Sequence, residues 1–169
     1  GITIAGCESS CVMTIKDEWP DLLVGDKRAR EVANSTLMVE DVLANTVGDH
    51  KQQINFSGTE KDVKFFGHCH QKAITGTSSS ITALGLPPGY RVTEIEAGCC
   101  GMAGSFGFEK DHVKLSMSCG QDRLFPSILN ESEKTEIAIN GVSCRQQIEY
   151  GTSRIPRHLL EILADAIKE

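Results

Sequence analysis

One phrase, repeated at four places in the chain, constrains its fold more than any other feature. Ile4-Ala5-Gly6-Cys7, Phe65-Phe66-Gly67-His68-Cys69, Glu96-Ala97-Gly98-Cys99-Cys100 and Ile139-Asn140-Gly141-Val142-Ser143-Cys144 each carry a strand-like run into a glycine and then a cysteine. Short apolar runs bounded by turn residues read as buried strands. The predicted strands are 1–6, 62–66, 91–96 and 135–139, and helical patterns separate them. Alternating strands and helices predict an α/β fold: a four-stranded parallel sheet flanked by helices on both faces. Parallel strands all end on one edge, which places the cysteine loops at the C-terminal edge, where open α/β sheets bind ligands.

The helical segments follow from spacing and punctuation. A helix is predicted over 12–23, interrupted by Pro20, with Ser9 or Ser10 as its N-cap. The longest pattern, 26–47, repeats Ala29, Val32, Ala33, Thr36, Leu37 and Val39 on one side. Further helices are predicted over 71–85 and 109–129. The second takes Val113, Leu115, Met117, Leu124 and Ile128 as core residues and is bent or ended by Pro126. Ser143 is read as the cap of a helix through Tyr150, and Pro156 as the opening of the last helix. The polar stretch 48–60 reads as a surface loop. At 169 residues the chain is expected to form a single domain over 1–169.

Composition narrows the partners. The net charge is −6 and no basic stretch is present, which argues against nucleic acid and anionic membrane surfaces. No apolar run reaches the roughly 18 residues that span a bilayer. The first six residues lack the charged region of a signal peptide, so the expected location is cytoplasmic, with peripheral attachment at the inner face of the membrane as an extension of it. There the seven cysteines, an odd number, serve metals or redox chemistry rather than structural disulfides. The missing initiator methionine suggests a piece of a longer protein.

Cys99 and Cys100 are adjacent and poorly placed to bridge each other, because a disulfide needs converging Cβ vectors. Both thiols are better aimed at a third object. Gathered thiolates select zinc or iron–sulfur clusters. Gly101, Gly104 and Gly107 do not spell the dinucleotide fingerprint. They let the backbone approach, so that N–H groups at Gly101 and Gly104 can hydrogen-bond cluster sulfurs. His68 and His70 flank Cys69 and either ligate metal or orient the loop. Lys72 either decorates a first helical turn or offsets thiolate charge. Cys119 is expected to be an ordinary packed cysteine and Cys7 stays open between packing and ligation. His50, His112 and His158 read as surface residues.

Ser10-Cys11, His68-Cys69-His70-Gln71-Lys72-Ala73, the run Cys99 to Gly107 and Ser143-Cys144-Arg145-Gln146-Gln147-Ile148 together resemble the cysteine-rich CCG domain. That domain occurs in heterodisulfide reductases and in the iron–sulfur component of glycolate oxidase. This copy is most similar to the C-terminal part of FAD-linked oxidases of the D-lactate or D-2-hydroxyglutarate dehydrogenase type. The resemblance runs from about Ile4 to Leu163. It implies a 4Fe-4S cluster, or in some relatives zinc, held by Cys69, Cys99, Cys100 and Cys144, with Cys11 as a further ligand. FAD is then expected elsewhere in the parent protein, with flavin and ferredoxin-like domains as partners and a quinone or another acceptor downstream. The implied function is electron transfer within a flavin-dependent 2-hydroxy-acid oxidoreductase, with no catalytic residue in this stretch and no activity of the stretch alone. Heterodisulfide reductase-type copies carry Cys-x-x-Cys where this chain has Gly141 and Cys144, which weakens the alternative of a thiol–disulfide redox domain. A zinc-stabilised interaction domain is the second alternative.

Overall fold

The computed structural model describes residues 1–49 and 54–168. In chain order the elements are β1 (Ile4–Gly6), α1 (Ser9–Met13), a π-helical turn, α2 (Trp19–Leu22), α3 (Lys27–Ser35), β2 (Thr36–Met38) and α4 (Val39–Asp49). There follow β3 (Lys61–Phe66), α5 (Cys69–Ile74), α6 (Ser78–Leu84), β4 (Tyr90–Glu94), α7 (Val113–Asp122) and α8 (Leu124–Leu129). The chain closes with β5 (Glu136–Ile139), α9 (Val142–Thr152), β6 (Arg157–His158) and α10 (Leu159–Ala164).

The fold is α/β, with a parallel four-stranded sheet in the order β4-β3-β5-β6. Alternation along the strands builds two cores, since successive residues face opposite sides. Phe66, Ile137 and Ile139 face a cluster completed by Leu124, Phe125 and Ile148 of α8 and α9. Val63, Phe65 and Ala138 face another completed by Leu84, Leu159 and Ile162 of α6 and α10. Each fully buried phenylalanine contributes about 2–3 kcal/mol. Helices therefore cover both faces. From β3 the chain moves out to β4, then returns past β3 to β5, so the connections reverse direction between the C-terminal ends of β3 and β5. That switch point is where the His68–Cys69 and Gly141–Cys144 loops meet.

The sheet's membership differs from the expectation. Strand 1–6 is not in it: β1 pairs in parallel with β2 as a separate two-stranded sheet. β2 splits the helix predicted over 26–47. The split falls at Thr36, a β-branched residue whose hydroxyl turns back to Val32 O at 2.8 Å while Lys16 Nζ binds its carbonyl. The fourth strand is β6, just after Pro156. Pro156 thus precedes a strand, and α10 is instead capped by His158, whose Nδ1 accepts from Leu160 N at 3.2 Å while Glu161 returns to His158 N at 2.7 Å.

Other boundaries also move. Glu8, not a serine, caps α1. Pro20 sits in the first turn of α2, where its missing N–H costs nothing. The helix predicted over 71–85 breaks at Gly76, which has φ +75°. The helix predicted over 109–129 breaks at Arg123, and Pro126 lies in the first turn of α8. Leu124 and Ile128 are buried as expected, but Val113 and Leu115 are exposed. Gly141, not Ser143, precedes α9. In the stretch read as a loop, α4 continues to Asp49, and Phe56 bridges to Ile167. His50 lies outside the described residues.

No helix among the described residues is long and apolar enough to cross a membrane.

Candidate metal centre

Cys69 opens α5 directly after β3, Cys99 and Cys100 follow β4, and Cys144 lies in the first turn of α9 after β5. The fold brings these sulfurs into one string. Cys69 hydrogen-bonds Cys99, Cys99 also meets Cys100, and Cys100 meets Cys144. Cys100 and Cys144 are buried in the α8–α9 core, while Cys69 and Cys99 are partly exposed. Cys11 is exposed on α1 and does not join the string; its neighbour Ser10 lines the cavity over Cys69 instead. Cys7 is exposed, and its carbonyl lies 2.9 Å from His158 Nε2. Cys119, expected to be packed, is also exposed. It borders a surface cleft shared with Cys99, because the buried residues of α7 are Ser116 and Gly120.

The protons along the string are unevenly held. Hydrogen bonds from Cys100 and Cys69, then from the N–H groups of Gly101 and Ala103, hold the Cys99 thiol far below its ordinary pKa. The partners shift the other way: Cys100 is raised by its hydrogen bonds with Cys144 and Cys99 and by burial, and Cys69 by its hydrogen bond with Cys99 and by burial. Along this string the neighbours therefore favour ionisation at Cys99 and oppose it at Cys69 and Cys100.

The backbone is shaped to this sulfur. Gly101 N lies 3.3 Å from Cys99 Sγ. Gly101 adopts φ +100°, and a Cβ there would run into the carbonyl of Ser116. Ala103 at φ +43° and Gly104 at φ +68° continue the left-handed turn. Successive N–H groups in such a turn form an anion-binding concavity. For Ala103 the conformation costs on the order of 1 kcal/mol, strain of the kind that collects at functional sites.

Three further groups fix the loops. Lys72 Nζ donates to Ala97 O and to Gly98 O (2.9 Å) and lies 4.4 Å from the centre of the Phe66 ring. Burial lowers its pKa, while Glu94 and the thiols of Cys69, Cys144 and Cys99 oppose that shift. Gln147 Nε2 donates to Cys100 O at 3.0 Å. His68 Nδ1 accepts from His70 N at 3.3 Å, so this ring caps α5 and orients the Cys69 loop. His70 lines the cavity over Cys69, with Nε2 3.8 Å from Glu18. That cavity, about 540 Å³, opens between Glu8, His68, Cys69, Gly104 and Gln146. His112 is half-exposed and stacks on Phe106, with centroids 3.9 Å apart.

Sequence reasoning missed the polar frame beneath the thiols. Asn140, fully buried at the end of β5, donates to Glu40 at 2.7 Å and to Gln71 at 2.6 Å, and accepts from His68 N at 3.2 Å. Ser80 completes it, donating to Glu40 and accepting from Gln71, both at 3.0 Å. Glu8 ties two cysteine loops together, binding Ser10 Oγ at 2.9 Å and Val142 N at 2.9 Å. Asn140 stood inside the repeated phrase, and its difference from the alanine or phenylalanine at the matching positions was the available signal.

Among the described residues, no group of three or more Cys, His, Asp or Glu side chains is arranged so that it could hold a metal ion. An extended string of sulfurs, N–H donors aimed at one of them, a nearby lysine and an apolar wall are features that iron–sulfur sites use.

No family model matches the chain, and no solved structure matches it. Among curated proteins it is 28% identical over 169 residues to a subunit of the anaerobic glycerol-3-phosphate dehydrogenase of Escherichia coli (strain K12), covering 99% of this chain and 41% of that protein. It is 25% identical over 169 residues to D-2-hydroxyglutarate dehydrogenase of the same strain, covering 99% of this chain and 16% of that protein. The dehydrogenase of the latter name from Pantoea ananatis (strain AJ13355) is 27% identical over 168 residues, with 99% and 16% covered. The chain thus spans less than half the length of the curated relatives it matches, and each of these three is a dehydrogenase or part of one by name.

Proposed function

We propose that the chain is a single CCG-type domain that carries an iron–sulfur centre within a larger flavin-dependent 2-hydroxy-acid oxidoreductase. The observation that carries this reading is the convergence of Cys69, Cys99, Cys100 and Cys144 at the switch point of the sheet. Its support from outside is the full-length similarity to parts of two kinds of dehydrogenase.

In this reading those four cysteines hold the cluster, and Cys11 stays outside it. Such a centre, when bound, accepts and releases single electrons. The residues of the chain do the rest. Gly101 and Ala103 direct N–H groups at the Cys99 sulfur, which favours the more reduced, more negative state. Lys72 holds the Ala97–Gly98 carbonyls and adds positive charge beside the thiolates. Phe66 and the α8–α9 core keep water from Cys100 and Cys144, while the cavity over Cys69 leaves one side open toward an electron partner. Oxidation of the hydroxy acid takes place at a flavin in another part of the parent protein, and electrons pass on toward a quinone or another acceptor. The domain alone turns over no substrate.

Anaerobic reconstitution with iron and sulfide, followed by electron paramagnetic resonance of the dithionite-reduced chain, tests the reading. A signal from a reduced cluster is expected. Stoichiometric zinc with no such signal points instead to the zinc-stabilised domain.

One observation favours the thiol–disulfide alternative: Cys99 is partly exposed, and its neighbours lower its pKa toward the thiolate form in which cysteine attacks disulfides. Alkylation of the loaded chain separates the two. A ligand cysteine is protected, whereas a nucleophile reacts.

A further inference from the structure

The three sulfur contacts of the string differ in what oxidation can make of them. Cys69 meets Cys99, Cys99 meets Cys100, and Cys100 meets Cys144. Cys99 and Cys100 are neighbours in sequence, and their Cβ vectors converge only if the peptide between them is distorted. Cys100 and Cys144 are 2% and 1% exposed, closed in with Phe66, Phe125 and Ile148. The Cys69–Cys99 contact alone joins two separate loops and is also open to solvent.

Both thiols can be reached from outside. Cys69 lines the cavity shared with Glu8 and Gly104, and Cys99 borders the cleft shared with Cys119. Their backbones are held close by the sheet. β3 and β4 stay paired up to Ile95 N, which donates to Phe65 O at 2.8 Å, and each cysteine lies four residues beyond that bond. The loops past it are fixed too: His68 caps α5 in front of Cys69, and Lys72 of α5 holds the carbonyls of Ala97 and Gly98 just before Cys99. A bond between the two sulfurs therefore links strand ends that already lie side by side.

We infer that Cys69 and Cys99 form a reversible disulfide when no metal is bound, with a low-molecular-weight disulfide as the oxidant. One of the two, as its thiolate, attacks a sulfur of the small disulfide, forming a mixed disulfide and releasing one small thiolate. The other gives up its proton, attacks the protein sulfur of that mixed disulfide and releases the second small thiolate. Two protein thiols are oxidised, the small disulfide is reduced to two thiols, and the two protein protons end on them. A cysteine bound in a disulfide is no longer a thiolate ligand, so the linked chain holds no centre until it is reduced. The linkage stands on contact and exposure; its effect on metal loading rests on the function proposed above.

The metal-free chain incubated with oxidised glutathione, alkylated in denaturant and mapped by mass spectrometry without reduction, tests the linkage. A peptide pair joined through Cys69 and Cys99 is expected, with Cys100 and Cys144 alkylated as free thiols. Cys119→Ser should leave the pair unchanged, and Cys99→Ser should trap glutathione on Cys69. The same treatment in urea should scatter the pairings, because it is the fold that brings these two together. Cys99 joined to Cys119 instead, glutathione adducts with no link, or an equal yield of the pair in urea each overturn the inference. The linked chain is expected to melt higher than the reduced one, since the bond constrains the unfolded state. It is also expected to take up no iron until dithiothreitol is added, and iron uptake with the link intact overturns the effect on loading. If the reduced chain takes up no iron, the proposed function falls, and the peptide map still decides the linkage.

Discussion

The Asn140 amide donates to the Glu40 carboxylate across 2.7 Å, with both residues fully buried. This contact joins the end of β5 to the start of α4, and through Asn140 it reaches the His68–Cys69 loop. Isosteric Asn140→Asp replaces a donor of two hydrogen bonds with a carboxyl facing Glu40 and Gln71. A loss of about 3–5 kcal/mol is expected at neutral pH, the cost of leaving a buried charge uncompensated. The introduced carboxyl binds its proton more tightly folded than unfolded. The penalty is therefore smallest below its unfolded pKa and grows as pH rises through its folded value. Urea unfolding across that range checks both size and sign; a pH-independent loss under about 1 kcal/mol would falsify the frame.

Thiol reactivity in the metal-free chain should follow burial, except that Cys99, whose ionised form its neighbours favour, should react ahead of its exposure. Cys7, Cys11 and Cys119 are exposed, whereas Cys100 and Cys144 are buried. A time course with N-ethylmaleimide, read by mass spectrometry of peptides, is expected to label Cys99 and the exposed set before Cys100 and Cys144. Cys100 and Cys144 should wait for unfolding. Equal rates for Cys144 and Cys119 would contradict the placement of α9.

Phe125 is gripped between two helices. A Cβ on Gly120 of α7 or on Gly151 of α9 would run into its ring. Alanine in a helix gains up to about 1 kcal/mol over glycine, but overpacking a closed core costs about 1–3 kcal/mol. The clash should win, so Gly120→Ala is expected to lower the urea midpoint. In a Phe125→Leu background the same change should be neutral or stabilising.

The cysteine loops were legible because a chemical signal marked them: a glycine and then a cysteine at the end of each apolar run. Strand membership was not. The β1 run looks like the others, but it pairs with Thr36–Met38, a partner hidden inside a continuous helical pattern. β6 is two residues long and carries an arginine and a histidine, so no hydrophobic alternation announces it. Cys119 was misread for a related reason. On α7 the buried positions are the small Ser116 and Gly120, chosen by the close approach of Gly101 and Phe125, while Leu115 faces solvent. Hydrophobicity along the sequence does not register contacts that select for smallness. The buried Glu40 escaped notice because a carboxylate reads as surface until its partners, Ser80 and Asn140, are known.

Cys69, Cys99, Cys100 and Cys144, and no other cysteine, are proposed to hold the iron–sulfur centre. Iron and sulfide per chain, measured after anaerobic reconstitution of single Cys→Ser variants, tests this most directly. The native chain and the Cys7, Cys11 and Cys119 variants are expected to hold about four of each. Variants at Cys69, Cys99, Cys100 or Cys144 should lose most of both. Full loading of the Cys99 or Cys100 variant, or loss on changing Cys11 or Cys119 alone, would contradict the account.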